Sequence, residues 1–530
     1  MLGIPTVTID KSTLTSAAND VTFTVDTSML SFTPKHLIMR TSAAHDSKDS
    51  SMYVRLNGDT GSNYNNIRVS GTGTAEASAV SDGDSAGLLI NIDDATNEFG
   101  AGEWLIADAF NTTTYKTVMG LGGWDYDNSV WMVLNRWDNT AAITSVTFRA
   151  HELNGFGSGS SFELCVVDES YNFNTQVMAD DASGGFSVGS ITQAPGHLVC
   201  IGNLRSDNDA DTDTLKMHYT GSGGSDTTSS NYERKMVGGS STTLGASNDN
   251  DDIFGIVSGD TASQDSEDSF GSFIHCIPNY SDGGNDRSSI SLSGEYADNA
   301  KRDIQLEARH WRNNDSITAF SLIPGAGSNF LTNSILSTYL IPNDDNLIER
   351  IELGSDTDVI DFASIPDTYD HLEITAYMRV SRSSTSHSGA IFINAAGGTS
   401  QTGHGVQIFQ AGGSWLGASA YTDDAYAFST CADNDTANNF STLVFTVYNY
   451  KTTDRDKLII AVSGQIDEGS SEDNILLVAK RWDNTAAINR IVLDHRGAYN
   501  YLTGTTVELR GISSTIPDPP VTFIPETRIF

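Results

Sequence analysis

The feature that most restricts what this 530-residue chain can fold into is a threefold internal repeat. The block Asn135-Arg-Trp-Asp-Asn-Thr-Ala-Ala-Ile143 returns as Lys480-Arg-Trp-Asp-Asn-Thr-Ala-Ala-Ile488, and in looser form as Arg309-His-Trp-Arg-Asn-Asn-Asp-Ser-Ile317. Other landmarks keep the same phase. Phe99, Phe270 and Phe440 precede apolar runs, Gly123, Gly294 and Gly464 follow the middle strands, and His36-Leu37, His197-Leu198 and His371-Leu372 open a strand near the start of each copy. Self-similarity at a long fixed period means one structural unit used repeatedly. The chain also exceeds the roughly 250–300 residues at which a single core stops growing. The spacing places the copies at 21–169, 185–342 and 358–512. Polar linkers at 170–184 and 343–357 separate them, an amino-terminal arm covers 1–20, and a tail at 513–530 is kept extended by Pro517, Pro519, Pro520 and Pro525.

Within a copy, runs such as Met52-Tyr-Val-Arg-Leu56, Ser129-Val-Trp-Met-Val-Leu134 and Phe162-Glu-Leu-Cys-Val166 alternate with period two, the mark of strands with one buried face. Gly, Asn, Asp and Ser clusters break the chain every ten residues or so, and no three-turn helical periodicity intervenes. The expected fold is all-β: three tandem jelly-roll-like antiparallel β-sandwich domains with extended terminal arms. Trp137, Trp311 and Trp482, with Phe99, Phe270 and Phe440, are the expected aromatic core of the repeats, and Gly123, Gly294 and Gly464 mark a turn.

Charge excludes a class of partner. With 68 acidic and 30 basic residues the net charge is −38, and without a basic run the chain has nothing to offer a phosphate backbone, so no nucleic acid is expected. The acids are mostly Asp, which suits loops, and a surplus of this size keeps a protein dispersed in salty water. Cys165, Cys200, Cys276 and Cys431 are far apart and read as buried free thiols. The absence of an apolar run of about 18 residues predicts no membrane insertion, and the amino terminus does not read as a secretion leader.

These residues resemble a repeat domain of structural proteins of tailed phages, particularly phages of marine bacteria. The resemblance rests on Ile365-Pro-Asp-Thr-Tyr-Asp-His-Leu372, on Leu56-Asn-Gly-Asp-Thr-Gly-Ser-Asn-Tyr64, on the strand end Asn449-Tyr450, and on the closing Trp-x-Asn-Thr-Ala-Ala-Ile block. It spans nearly the whole chain in three copies, and the middle copy departs by lacking Thr-Ala-Ala. It implies a virion protein of the tail, fibre or capsid surface that works by packing, symmetry and adhesion, with other virion proteins as partners, homo-oligomerisation within a symmetric assembly, and no catalytic residues. A glycan-binding receptor module and a capsid decoration protein are the alternatives.

Asp207, Asp209, Asp211 and Asp213 alternate as a calcium loop would, although the glycine at loop position six and the closing Glu are missing. The prevailing reading is therefore a variable hairpin loop and no cofactor. His36, His197 and His371 lie in different copies and read as structural imidazoles hydrogen-bonded near sheet corners. No nucleophile elbow, zinc-binding His-Glu-x-x-His or phosphate loop occurs, so the chain is expected not to be an enzyme. Trp124, Tyr126 and Trp415, aromatics outside the repeat pattern beside Gly and Asp, are candidate glycan contacts. Finally, Thr6-Val-Thr-Ile9 and Val521-Thr-Phe-Ile524 are β-prone runs outside the copies, expected to add to a neighbour's sheet edge.

Overall fold

The computed structural model describes residues 3–46, 50–72, 75–92, 98–124, 129–151, 155–181, 184–240, 243–249, 251–258, 268–296, 302–343, 346–383, 386–394, 403–411, 415–422, 427–433, 438–466, 474–495, 499–514 and 516. Strands dominate throughout, and the described helical residues are two short 3-10 turns, Glu169–Tyr171 and Ser229–Asn231.

The first two repeats are each a sandwich of two unequal sheets. In the first, the large sheet runs in the order Thr6–Thr13, Ser161–Val167, Leu37–Ala43, Gly100–Ile106, Lys116–Trp124, Ser129–Trp137, Tyr64–Thr72 and Ala75–Asp84, all antiparallel. The small sheet runs Asp20–Thr24, Ser145–Ala150, Ser50–Leu56 and Gly87–Ile92. The second repeat follows the same large-sheet order, beginning with Asn172–Val177 and Ile335–Pro342. In the third, Phe428–Ala432 pairs parallel with His371–Val380 and antiparallel with Ser386–Ile393, so the two layers join into one continuous sheet.

The segments expected to be an arm and linkers carry strands instead. Thr6–Thr13 zips along Ser161–Val167 of its own repeat, Asn172–Val177 along Ile335–Pro342, and Leu347–Glu352 along Thr506–Ile512. Each occupies an edge of the large sheet, where it satisfies backbone groups that would otherwise be exposed. Ile9 enters the first sandwich core, so the Thr6–Ile9 run has its partner within the chain and is not a free docking strand. The run Val521–Ile524 lies outside the described residues.

The two layers differ in what covers them. Small-sheet strands alternate: Phe23 and Val21 face in while their neighbours face solvent, and Ser50–Leu56 behaves alike. Large-sheet strands do not alternate, since every residue of Leu37–Ala43, Gly100–Ile106, Lys116–Trp124 and Ser129–Trp137 is buried. Both faces of this sheet are therefore covered. One packs on the repeat's own small sheet, with Trp104, Trp137, Phe148 and Phe162 in that core. The other meets the remaining two repeats.

The recurrent tryptophans sit in the sandwich cores. Trp137 stacks on Tyr64, its cross-strand neighbour, and Trp311 stacks on Tyr232 in the same way. Their indole N–H groups donate to Asp59 at 2.7 Å and Asp226 at 2.9 Å, which keeps the buried polar edge satisfied. Trp482 belongs to the third core. Cys165, Cys200, Cys276 and Cys431 are free thiols, all buried.

Candidate functional site: the pseudo-threefold interface

The outer faces of the three large sheets share one apolar core. Equivalent positions contribute to it in register: Met119, Ile290 and Ile460; Leu121, Leu292 and Val462; Met132, Leu306 and Leu477. A residue set drawn equally from three copies defines a pseudo-threefold axis along which the repeats pack face to face.

Glycine lets the sheets approach. Gly123, Gly294 and Gly464 lie inside the strands Lys116–Trp124, Arg287–Tyr296 and Lys457–Gln465, not in turns as their position in the sequence led one to expect. A Cβ on Gly123 would overlap the Ala479 methyl, one on Gly464 would overlap that of Ala308, and one on Gly294 would stand 3.0 Å from Leu134 Cδ1. Leu134, Ala308 and Ala479 occupy the same position in their repeats, three residues before Trp137, Trp311 and Trp482. The contacts thus run cyclically, each repeat presenting its glycine to the preceding one.

Polar contacts close the same ring. Tyr115 N–H donates to the Asp268 carbonyl at 2.8 Å, and its second-repeat equivalent Asp286 N–H donates to the Asn438 carbonyl at 3.0 Å. Thr117 Oγ1 donates to the Phe270 carbonyl at 3.3 Å, and Ser288 Oγ donates to the Phe440 carbonyl. Between the third repeat and the first, Arg455 stacks 4.6 Å over the Phe99 ring and Arg481 pairs with Glu98. Phe270 and Phe440 are accordingly buried at junctions between repeats, whereas Phe99 is half-buried under its arginine.

The three histidines form a second ring. His371 Nε2 meets Glu163 Oε1 at 3.0 Å, and His197 Nε2 meets Glu508 Oε2 at 3.0 Å, each reaching from one repeat to the next. His371 Nδ1 accepts from Asn449 N–H and His36 Nδ1 from Asp108 N–H, both at 3.0 Å. Asp108, Asn279 and Asn449 all adopt left-handed backbone, φ 51, 50 and 51°, a conformation Asn and Asp tolerate best. The third glutamate is missing: register places Ser337 where Glu163 and Glu508 stand. His36 Nε2 is consequently buried without a hydrogen-bond partner, edge-on to Tyr339. Burial, with Lys35 nearby, lowers its pKa to about 3, so it is neutral. Burial alone would raise Glu508, but His197 and Arg510 outweigh it and hold the carboxylate at about 2. Glu163 is lowered likewise: His371 and Arg40 outweigh its burial.

The remaining sequence candidates resolve differently. Asp207 accepts from Ser328 N–H, Asn329 N–H and Asn329 Nδ2, and Asp213 from Ser206 Oγ, Ala326 N–H and Gly327 N–H. These two carboxylates tie the 326–329 loop to the hairpin, and their oxygens are taken up by protein donors. Asp209 is exposed and Asp211 half-buried. Among the described residues no group of three or more His, Cys, Asp or Glu side chains could hold a metal, so the calcium expectation finds no cradle there. Trp124 is buried, 3% exposed, edge-to-face with Trp131 at 5.0 Å, and so is not an open platform for sugar. Tyr126 lies outside the described residues, and Trp415 opens the strand Trp415–Thr422 with its side chain outside them. The His–Glu ring was missed by sequence reasoning, although Glu163-Leu164 and Glu508-Leu509 recur in phase with the histidines.

No protein-family model and no curated protein matches the chain. Among solved structures, the LG1-3 region of the laminin α2 chain is similar over 93% of this chain and 96% of its own, at 8% identity and a TM-score of 0.16. Domains LG4-5 of mouse laminin α1 cover 64% of this chain and 96% of their own, at 6% identity and a TM-score of 0.15. The translocator domain of the autotransporter NalP from Neisseria meningitidis, at 10% identity, covers 88% and 90% with a TM-score of 0.10. At such scores the likenesses bear on no function, and the sandwich fold stands on the strand pairing above.

Proposed function

We propose that this chain is a non-enzymatic structural protein of a tailed-phage virion, of the tail or fibre or of the capsid surface, in which three sandwiches in one polypeptide take the place of a homotrimer. The observation that carries this reading is the cyclic closure of the Gly123, Gly294 and Gly464 contacts around one shared core. A closed ring with equivalent interfaces is suited to a threefold position in a symmetric assembly. The likeness of the repeats to phage structural domains supplies the setting. The acid surplus on the loops agrees with a role outside the nucleic acid compartment. Buried ionisable groups at the interface are spent on joining repeats, as in His371–Glu163 and His197–Glu508.

Immunogold electron microscopy with an antibody against the purified chain tests the assignment. Label is expected on the virions that carry the protein, at the tail more than the capsid. Virions without label would overturn it. Light scattering on the purified chain is expected to give the mass of one chain, because the threefold contacts are made internally.

A further inference from the structure

The outward face of the first repeat's small sheet carries a groove of 170 Å³ bordered by Tyr53, Arg55, Asp84, Ser85, Arg149 and His151. Strand periodicity creates it. Tyr53 and Arg55, with Ser51, are the outward residues of Ser50–Leu56, and Arg149 stands opposite Tyr53 on Ser145–Ala150. Tyr53 and His151 form one wall, ring centroids 5.4 Å apart. Arg55 donates its Nε–H to the Ser85 carbonyl at 3.0 Å, which orients the guanidinium plane, and among the described residues no acid stands in ion-pair range of it. Arg149 has only a loose pairing with Asp20 at 3.7 Å, both side chains well exposed, a contact of little worth that a better acceptor displaces. Asp84 is anchored by Asn66 Nδ2 at 2.7 Å and by Ser81.

The equivalent positions in the other repeats lack this chemistry. Register places Lys216 and His218 at the positions of Tyr53 and Arg55, and both are held by Asp252 of their own sheet. In the third repeat the positions are Ala390 and Phe392. Among the described residues these two arginines have at most the loose Asp20 contact as an acid partner, on a chain of net charge −38.

We propose that this groove binds a carboxylated saccharide, with Arg55 and Arg149 taking the carboxylate, the Tyr53–His151 wall taking the apolar face of the pyranose, and Asp84 accepting from ring hydroxyls. A planar guanidinium matches a carboxylate bidentately, aromatic faces stack on sugar C–H surfaces, and a carboxylate beside the arginines is a liability for a simple anion but a partner for hydroxyl donors. The chain's overall charge repels an extended polyphosphate and leaves short-range recognition of a single acidic ring. The site stands apart from the virion reading and is tested on the purified full chain.

Isothermal titration with a linear galacturonate trimer is the test, with a neutral galactose trimer and inorganic phosphate as comparison probes. Binding of the galacturonate trimer is expected, and loss of the charge-assisted bonds in Arg55→Ala or Arg149→Ala should weaken it by about tenfold or more. Tyr53→Ala should weaken it too, whereas Lys216→Ala on the second repeat should leave it unchanged. All four positions are outward-facing, so an unchanged melting midpoint certifies the fold of each variant. The proposal is overturned by no binding of the galacturonate trimer at millimolar concentration, by equal binding of the neutral trimer, by phosphate competing as well as the uronate, or by arginine variants that bind like the parent.

Discussion

The small and large sheets of this protein are built from similar residues, yet they meet different surroundings. In Ser50–Leu56 the residues between the buried ones look out to solvent, and Thr22 and Thr147 can bond side chain to side chain at 2.9 Å in an exposed position. In Ser129–Trp137 the same alternation divides two kinds of burial: Val130, Met132 and Leu134 join the core common to all repeats, while Trp137 turns back to the sandwich core. A period of two therefore reports that the faces of a strand differ, without saying that one of them is wet. The large sheets accordingly carry the interface, and the small sheets are left to carry whatever meets the outside.

The largest expected effect lies in the sandwich core. Trp311→Ala removes a fully buried ring and its bond to Asp226, and should cost about 3–5 kcal/mol, as buried Trp truncations do. Because the axial core is shared, calorimetry should show one cooperative transition that moves down as a whole. Three separable transitions would break the claim that the large sheets are covered on both faces. Next in size is the axis itself. Gly464→Val forces a side chain into Ala308 and should cost about 1–3 kcal/mol, typical of overpacking. Gly354→Ala, where a Cβ meets nothing within 4 Å, should change stability by no more than about 0.5 kcal/mol. Equal midpoints for the two variants in urea would refute close approach at the axis.

Acid sensitivity sharpens the comparison further. His36 has a folded pKa of about 3 against an ordinary value of 6.5, so between those limits the unfolded chain binds a proton that the folded one refuses. Stability then falls as the pH drops through that window, by about 1.4 kcal/mol per pH unit for one such group. Glu508 acts lower: its contribution is complete above 4.5 and is lost as the pH falls toward about 2. His36→Asn, which keeps an acceptor for Asp108 N–H, should flatten the upper part of the urea-midpoint profile, and Glu508→Gln the lower part. A profile unchanged by His36→Asn would place that imidazole in contact with water. The smallest effect belongs to the outer sheet, where Thr147→Ala should shift stability by about 0.5 kcal/mol or less, measurable only as a difference in midpoint.

The β architecture, the repeat and the aromatic core were legible because period-two alternation and recurrent Trp137, Trp311 and Trp482 are local signals that tertiary context did not override. What lay across repeats was not. Gly123, Gly294 and Gly464 recur visibly, but a glycine required for a turn and one required for close approach look alike in a sequence. The strands Asn172–Val177 and Leu347–Glu352 fell inside stretches read as linkers, and the Thr6–Ile9 run read as β-prone but its partner within the chain was not legible, since an edge strand is fixed by backbone pairing with a distant segment more than by its own side chains. Trp124 looked available because it stands beside glycine and aspartate, and only its packing on Trp131 shows otherwise. The groove at Arg55 and Arg149 could have been noticed, because two arginines facing outward from adjacent strands are uncommon where acids predominate.

The vacancy opposite His36 has a consequence for how such a ring diversifies. In an assembly of three identical chains, exchanging a glutamate for serine would delete the same partner from every junction at once. Here Ser337 alters one junction and leaves Glu163 and Glu508 in place. Covalent linkage thus divides one symmetric problem into three separate ones: each seam can be loosened, and each outer wall re-equipped, while the other two hold the ring closed and dilution cannot pull it apart.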